Sequence, residues 1–193
     1  MAPRGRGQGI SLDTSRRRVY KWTMSNLAPC GCAPCNHTCN PPKPQVLIVG
    51  EDNPWGNDPR MALFHLPRHA SGNRLREHLG LTDQQYERLF KMNLCPEKWS
   101  MKVAREVAKI VSGKPNLATV IMLGAKVKKA FGCQHIAFFD STDSSVWPTF
   151  VSLPHPSGLN RLWNAPDARQ RAQDLLRKVC PPVYATPSIY GTL

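Results

Sequence analysis

Thr119-Val120-Ile121-Met122-Leu123-Gly124 is an uninterrupted apolar run that closes on a glycine. A short apolar run bounded by turn residues predicts a strand buried on both faces, as in a parallel sheet. Working outward, similar runs at 46–50, 88–94 and 150–153 predict three more core strands, and 136–139 predicts an additional edge strand.

Helical patterns lie between these strands. Ser71 can cap a helix with Leu75 and Leu79 on one face, and Thr82 and Gln85 have capping-box spacing. Longer helices are predicted at 101–111 and from Pro166 onward, with these apolar stripes: Ala104, Val107, Ala108 and Val111, then Ala168, Ala172, Leu175, Leu176 and Val179. The alternation predicts an α/β fold, a three-layer α/β/α sandwich around a mainly parallel sheet of four or five strands.

The 193-residue chain has a formal net charge of +13, from 26 Lys and Arg against 13 Asp and Glu. Such a surplus in a small protein predicts a polyanionic partner, and its spread along the chain suits a nucleic-acid backbone. Denser basic clusters occur at 16–18 and 126–129. No run predicts a membrane helix or a secretion signal, so we expect an intracellular, cytoplasmic monomer without a membrane partner, nucleoid-associated if bacterial.

The organisation expected is a basic flexible arm over 1–27, a Cys-rich segment over 28–45, an α/β domain over 46–180 and a Pro-rich tail over 181–193. The Cys-rich segment contains Cys30, Cys32, Cys35, His37 and Cys39. In an intracellular basic protein such a cluster predicts metal binding rather than disulfides. We expect structural zinc, held by three cysteines and His37 or by four cysteines, with an iron–sulfur cluster as the alternative.

Polar segments follow the predicted strands. They are Gly50-Glu51-Asp52-Asn53-Pro54-Trp55-Gly56, then Asn93-Leu94-Cys95-Pro96, then Pro154-His155-Pro156-Ser157-Gly158-Leu159-Asn160-Arg161. Because right-handed crossovers bring the carboxyl ends of parallel strands to one edge, we expect these segments and Gly124 to converge there. A histidine held between two prolines at that edge indicates a site.

Together, these segments resemble the uracil-DNA glycosylase superfamily. That family has a Gly-x-Asp/Asn-Pro motif after the first strand, an Asn in a middle strand, and a His-Pro-Ser or Asn-Pro-Ser motif near the C-terminus. The stretch from Asn93 is similar to the single-strand-selective monofunctional branch, and the stretch from Pro156 to the mismatch-specific branch. The resemblance covers about residues 46–180.

This resemblance implies a monofunctional DNA glycosylase that needs no cofactor for catalysis. Such an enzyme flips uracil or a 5-substituted pyrimidine out of double- or single-stranded DNA and hydrolyses its N-glycosidic bond, which leaves an abasic site. The biological role would be DNA repair or defence against viruses with modified DNA.

The first motif has one residue more than the family pattern between Gly50 and Pro54. Counting back from the proline matches Asn53 to the catalytic position, and counting forward from the glycine matches Asp52. We favour Asp52 as the anion that stabilises an oxocarbenium-like transition state and Asn53 as the group that positions water. By the same resemblance His155 would donate a hydrogen bond to the departing pyrimidine O2.

The resemblance also implies residues that bind the base. Glu51 matches a glutamate of the iron–sulfur branches, and Asn93 would read the base edge through its amide. Trp55 or Gly56 lies where several branches exclude thymine with a tyrosine. We therefore expect a pocket that admits 5-substituted pyrimidines. Phe64 has the spacing of the aromatic that stacks on the flipped base, although a place in the core fits it equally.

The last motif would contact the DNA. Leu159 matches the residue that wedges into the vacated stack, and Ser157 and Arg161 would hold flanking phosphates. The DNA-binding loop as a whole comprises Ser157, Gly158, Leu159, Asn160 and Arg161. Two other functions stay open: a nucleic-acid-binding protein with this fold but no catalysis, and a metal-dependent hydrolase on the same scaffold.

Overall fold

Five strands form one sheet in the computed structural model, which describes residues 45–53, 58–143 and 145–181. The strands are β1 (Gln45–Asp52), β2 (Phe90–Cys95), β3 (Leu117–Leu123), β4 (Asp140–Ser141) and β5 (Thr149–Leu153), in the spatial order β2-β1-β3-β5-β4. Every neighbouring pair is parallel except β4 and β5. The predicted α/β class and mainly parallel sheet are confirmed.

Helices connect the strands. They are α1 (Ser71–His78), α2 (Asp83–Glu87), α3 (Met101–Ser112), α4 (Ala125–Ala130) and α5 (Ala168–Val179), with short 3-10 helices at Pro59–Met61 and Arg161–Asn164. The capping box is confirmed, since the Thr82 hydroxyl accepts from the Gln85 N–H and the Gln85 side chain accepts from the Thr82 N–H. The prediction that Ser71 caps α1 is wrong, because Ala70 occupies the cap position and Ser71 is already helical.

Two segments begin later than predicted. The last helix starts at Ala168 rather than near Pro166. The edge strand lies at Asp140–Ser141 rather than at 136–139, because Phe139 adopts a left-handed backbone with φ of 63° before the chain joins the sheet.

Lys128 explains where residues 136–139 lie. Its side chain is 7% exposed, its ammonium donates to the Ile136 carbonyl, and it lies 4.4 Å from the centroid of the Phe138 ring. Burial lowers the pKa of this ammonium. Lys128 is therefore a structural residue, and its ammonium does not belong to the exposed charge of the basic cluster at 126–129.

Alternate residues of the central strands enter two separate apolar clusters. In β3, Val120 and Met122 pack with α3 and α4, whereas Ile121 and Leu123 pack with α1, α2 and α5. Successive strand residues point to opposite faces, so helices cover both faces of the sheet. The predicted stripes lie inside these clusters: Ala104, Ala108, Val111, Ala168, Ala172 and Leu176 are buried, and Val107, Leu175 and Val179 are half-buried against them.

Residues Leu63 and Phe64 are held against the start of α1. Leu63 adopts a left-handed backbone with φ of 50°, and the buried Tyr86 hydroxyl donates to its carbonyl at 2.9 Å. Burial raises the pKa of Tyr86, so this hydroxyl keeps its proton. Gly72 lies directly under the carbonyls of Leu63 and Phe64, where a Cβ would collide with backbone atoms. The close approach of α1 thus fixes the position of Phe64.

We expect Gly72→Ala to destabilise the protein by about 1–3 kcal/mol, because the new methyl group must push apart two backbone segments. The matched control is Gly113→Ala, since a Cβ at that α3 cap meets no atom closer than 3.7 Å. Urea unfolding measures both variants. Equal stability of the two variants would contradict this packing.

Candidate active site

The order of the strands places a crevice at the carboxyl edge of the sheet. From β1 the chain moves to β2 on one side, and β3 and β5 then follow on the other side. Ligands of open α/β sheets bind where the strand order reverses in this way. A cavity of about 160 Å³ lies here, lined by Glu51, Asp52, Asn53, Met61, Leu63, Phe64, Ala70, Ser71, Gly72, Asn93 and His155.

Six of the residues that the sequence singles out line this one cavity. They are Glu51, Asp52, Asn53, Phe64, Asn93 and His155, contributed by the first motif, the segment before α1, β2 and the loop after β5. Trp55 lies outside the described residues. The expected convergence of separate segments at the carboxyl edge is thus observed for the residues that the structure describes.

The two acidic residues of the first motif differ in their partners. Glu51 accepts a hydrogen bond from the Lys126 ammonium at 2.8 Å, and this contact raises the pKa of Lys126. Asp52, which is half-buried, makes no hydrogen bond or ion pair with any residue of the described ranges. The charge of Glu51 is therefore compensated, and Asp52 is the carboxylate whose charge remains available to a ligand.

Asn53 closes the first motif. Its side chain is 5% exposed, and its Nδ2 donates to the Asp58 carbonyl at 3.1 Å. The Asp58 carboxylate in turn binds the Arg60 guanidinium at 2.8 Å. Because its amide nitrogen is bonded to the Asp58 carbonyl, Asn53 has a structural role in addition to its place in the cavity wall.

The geometry around His155 defines its protonation. The Ser157 backbone N–H donates to Nδ1 of His155 at 3.2 Å, so the neutral ring carries its proton on Nε2. Burial lowers the pKa of His155 from its ordinary value of 6.5, although Glu51 and Asp52 act in the opposite direction. The ring is therefore a neutral hydrogen-bond donor near pH 7.

Trp163 anchors the His155 loop, and the sequence analysis missed it. Its indole Nε1 lies 3.3 Å from the Pro154 carbonyl and 3.2 Å from the His155 carbonyl, to which it donates. The indole also stacks on the His78 ring, with centroids 4.3 Å apart and planes 7° apart. The sequence shows a tryptophan shortly after the motif but does not show its burial or its partners.

The side chain of Asn93 lies close to Gly50 of β1. Asn93 is 8% exposed and pairs with Gly50 in the sheet, and a Cβ at position 50 would collide with its Oδ1. Gly124, with φ of 91°, makes a similar close approach, since a Cβ there would lie 3.1 Å from Oε1 of Glu51 and 3.2 Å from Cβ of His155. These two glycines let the walls of the cavity come together.

Phe64 lies in the cavity wall and is half-buried. It belongs to neither of the two apolar clusters found among the described residues, and its ring packs on His65 with centroids 5.2 Å apart. These contacts favour a pocket position over a core position. Ser71 also lines the cavity, although the sequence analysis assigned it only to helix capping.

The loop after His155 projects from the surface. Leu159 is 93% exposed, and Gly158 and Arg161 are exposed as well. Asn160 caps the following 3-10 helix, where its Oδ1 accepts from the Leu162 N–H at 3.1 Å. None of these residues lines the cavity, so the loop forms an apolar and cationic projection separate from the pocket.

The expected metal ligands Cys30, Cys32, Cys35, His37 and Cys39 lie outside the described residues. In the described ranges, no three His, Cys, Asp or Glu side chains are grouped to hold a metal ion. Cys95 of β2 is buried, and its thiol exchanges hydrogen bonds with the backbone of Ser100. Burial also raises the pKa of this thiol.

No protein-family model matches the sequence, and a search of curated proteins finds no significant match. Among the helices of the described ranges, none has the length and apolar character needed to cross a membrane.

We expect Trp163→Phe to destabilise the protein by about 1–3 kcal/mol, because the carbonyls of Pro154 and His155 lose their shared donor while the ring stack is kept. Trp147→Phe is the control, since Trp147 is 59% exposed and its replacement should change stability by less than about 0.5 kcal/mol. Thermal unfolding compares them. If the two variants unfold at the same temperature, the anchoring role of Trp163 is refuted.

Proposed function

We propose that this protein is a monofunctional DNA glycosylase that removes uracil or a 5-substituted pyrimidine from DNA and leaves an abasic site. The observation that carries the proposal is the convergence of Asp52, Asn93 and His155 on one small cavity at the carboxyl edge of the sheet. The resemblance of the three motifs to uracil-DNA glycosylases and the charge of +13 support it independently.

The cavity has the chemistry to hold a flipped base. A cavity of about 160 Å³ has room for one small planar ring. Phe64 supplies an aromatic face for stacking, and the Asn93 amide supplies both a donor and an acceptor for the edge of a pyrimidine.

His155 and Asp52 would act on the two charges that develop during hydrolysis. As the bond between C1′ and the base nitrogen breaks, both electrons go to the base, and the Nε2–H of His155 stabilises the charge on its carbonyl oxygen. The Asp52 carboxylate stabilises the positive sugar. The water oxygen then bonds to C1′, and the proton that this water releases balances the one taken up by the departing base.

No lysine stands at a motif position, so we propose hydrolysis without a Schiff-base step. The second candidate is nucleic-acid binding without catalysis. It is favoured by the bond from Asn53 to Asp58, which uses one N–H of the amide that is expected to position water. Binding without base release would distinguish this candidate.

We further propose that a structural zinc ion is held by His37 and three of the cysteines at 30, 32, 35 and 39, or by all four of these cysteines. Metal analysis of the purified full chain distinguishes the two alternatives. Zinc supports this proposal, whereas iron together with sulfide supports an iron–sulfur cluster.

The proposal predicts alkali-sensitive abasic sites when the protein is incubated with oligonucleotides containing uracil, 5-hydroxymethylated or glucosylated pyrimidines, as duplexes and single strands. Asp52→Asn should lower the single-turnover rate on the best substrate on the order of 10²-fold or more. Asp140→Asn, at the exposed edge strand, is the charge-matched control and should keep the rate. A panel that stays alkali-stable throughout would refute the proposal.

Activity should be constant from about pH 7 to 8 and should fall only below 6.5, the ordinary pKa of histidine. The reason is that protonation at Nδ1 of His155 would place a second N–H against the Ser157 N–H, and burial already lowers this pKa. Single-turnover rates measured against pH test this. An acidic limb that persists unchanged in His155→Asn would assign the titration to another group, such as His78, whose pKa burial also lowers.

A further inference from the structure

Arg74 lies against the loop that carries Leu159. It is a half-buried residue of α1, and its guanidinium rests directly on Gly158, where a Cβ would collide with Nη1, Cζ and Nη2. This contact joins α1, which borders the cavity through Ser71 and Gly72, to the exposed loop after His155.

No acidic side chain of the described residues pairs with the guanidinium of Arg74. Within the part of the chain that the structure describes, it donates no hydrogen bond and forms no ion pair. Three other arginines of the described residues do have acidic partners: Arg60 pairs with Asp58, Arg76 with Asp83 and Arg177 with Asp174.

The surroundings of Arg74 are cationic. The only acid of α1 is Glu77, which already accepts from the Asn73 amide at 2.8 Å and lies 3.9 Å from Arg76. The loop at 153–166 contains no Asp or Glu and adds the exposed Arg161. A half-buried cation without a counter-charge is expected to bind an external anion, and a planar guanidinium matches the oxygens of a phosphate.

We propose that Arg74 binds a backbone phosphate of the DNA strand beside the nucleotide that leaves the stack. The inference rests on the proposed glycosylase function for the identity of the strand. Since the guanidinium sits on Gly158, next to Leu159, one phosphate contact would fix α1 and the wedge loop to the same strand. Arg74 is then a positioning residue: it orients the DNA and touches no reacting atom.

The first test is the salt dependence of DNA binding by the full chain. With an unmodified duplex followed by fluorescence anisotropy, Arg74→Gln should weaken binding and lower the slope of log K against log salt by about 1. Arg105→Gln removes the same charge from an exposed position on α3, which packs on the other face of the sheet, and should leave the slope nearly unchanged. An unchanged slope in Arg74→Gln, or an equal change in both variants, would overturn the proposal.

The second test is a double-mutant cycle with Gly158→Ala, which displaces the guanidinium while it keeps the charge. Each single variant should weaken duplex binding severalfold, and the double variant should bind no worse than Arg74→Gln alone. If the two losses of affinity multiply in the double variant, Arg74 does not act through its contact with Gly158. That result would overturn the assignment.

These binding results separate the two proposals. If no DNA yields abasic sites but the Arg74 slope effect is found, the glycosylase function fails and the phosphate contact stands. If abasic sites form at saturating DNA and the slope is unchanged in Arg74→Gln, the phosphate contact fails alone.

Discussion

The register of β1 between β2 and β3 is the constraint on which the candidate site depends. Gly50 pairs with Asn93 and Asp52 with Cys95, so the amide and the carboxylate reach the same edge of the sheet. A slip of one residue would exchange the two faces of β1 and carry its buried residues away from their clusters. Burial of the alternating apolar residues therefore fixes where the polar groups emerge.

The second wall of the cavity depends on how the loop after β5 is held. Trp163 donates to the carbonyls of Pro154 and His155, and the Ser157 N–H sets the tautomer of the His155 ring. These contacts hold the Nε2–H of His155 in place. A donor that is fixed in advance can stabilise a charge that develops on a ligand without reorganising. The ion pair of Glu51 with Lys126 has a complementary effect, because it leaves Asp52 as the carboxylate of this motif that makes no hydrogen bond or ion pair within the described residues.

The sequence predicted the strands, the apolar helix stripes and the convergence of the motif segments, because these follow from local periodicity and chain direction. It misplaced the edge strand, since the position of residues 136–139 depends on the buried Lys128. It also missed Tyr86, Trp163 and Arg74, whose roles arise from contacts between segments distant in the chain. No local pattern encodes such contacts. The spacing of the first motif could not distinguish Asp52 from Asn53 as the match to the catalytic position. The difference between their partners, such as the bond from Asn53 to Asp58, is visible only in the structure.

Release of a free base from DNA tests the account most directly. The full chain is incubated with a duplex that carries a single uracil or 5-substituted pyrimidine, and mass spectrometry quantifies both the free base and the strand. The account predicts equal amounts of free base and intact abasic strand, and loss of both products in Asp52→Asn. Tight binding of every duplex with no free base would contradict it and would identify the protein as a binder without catalysis.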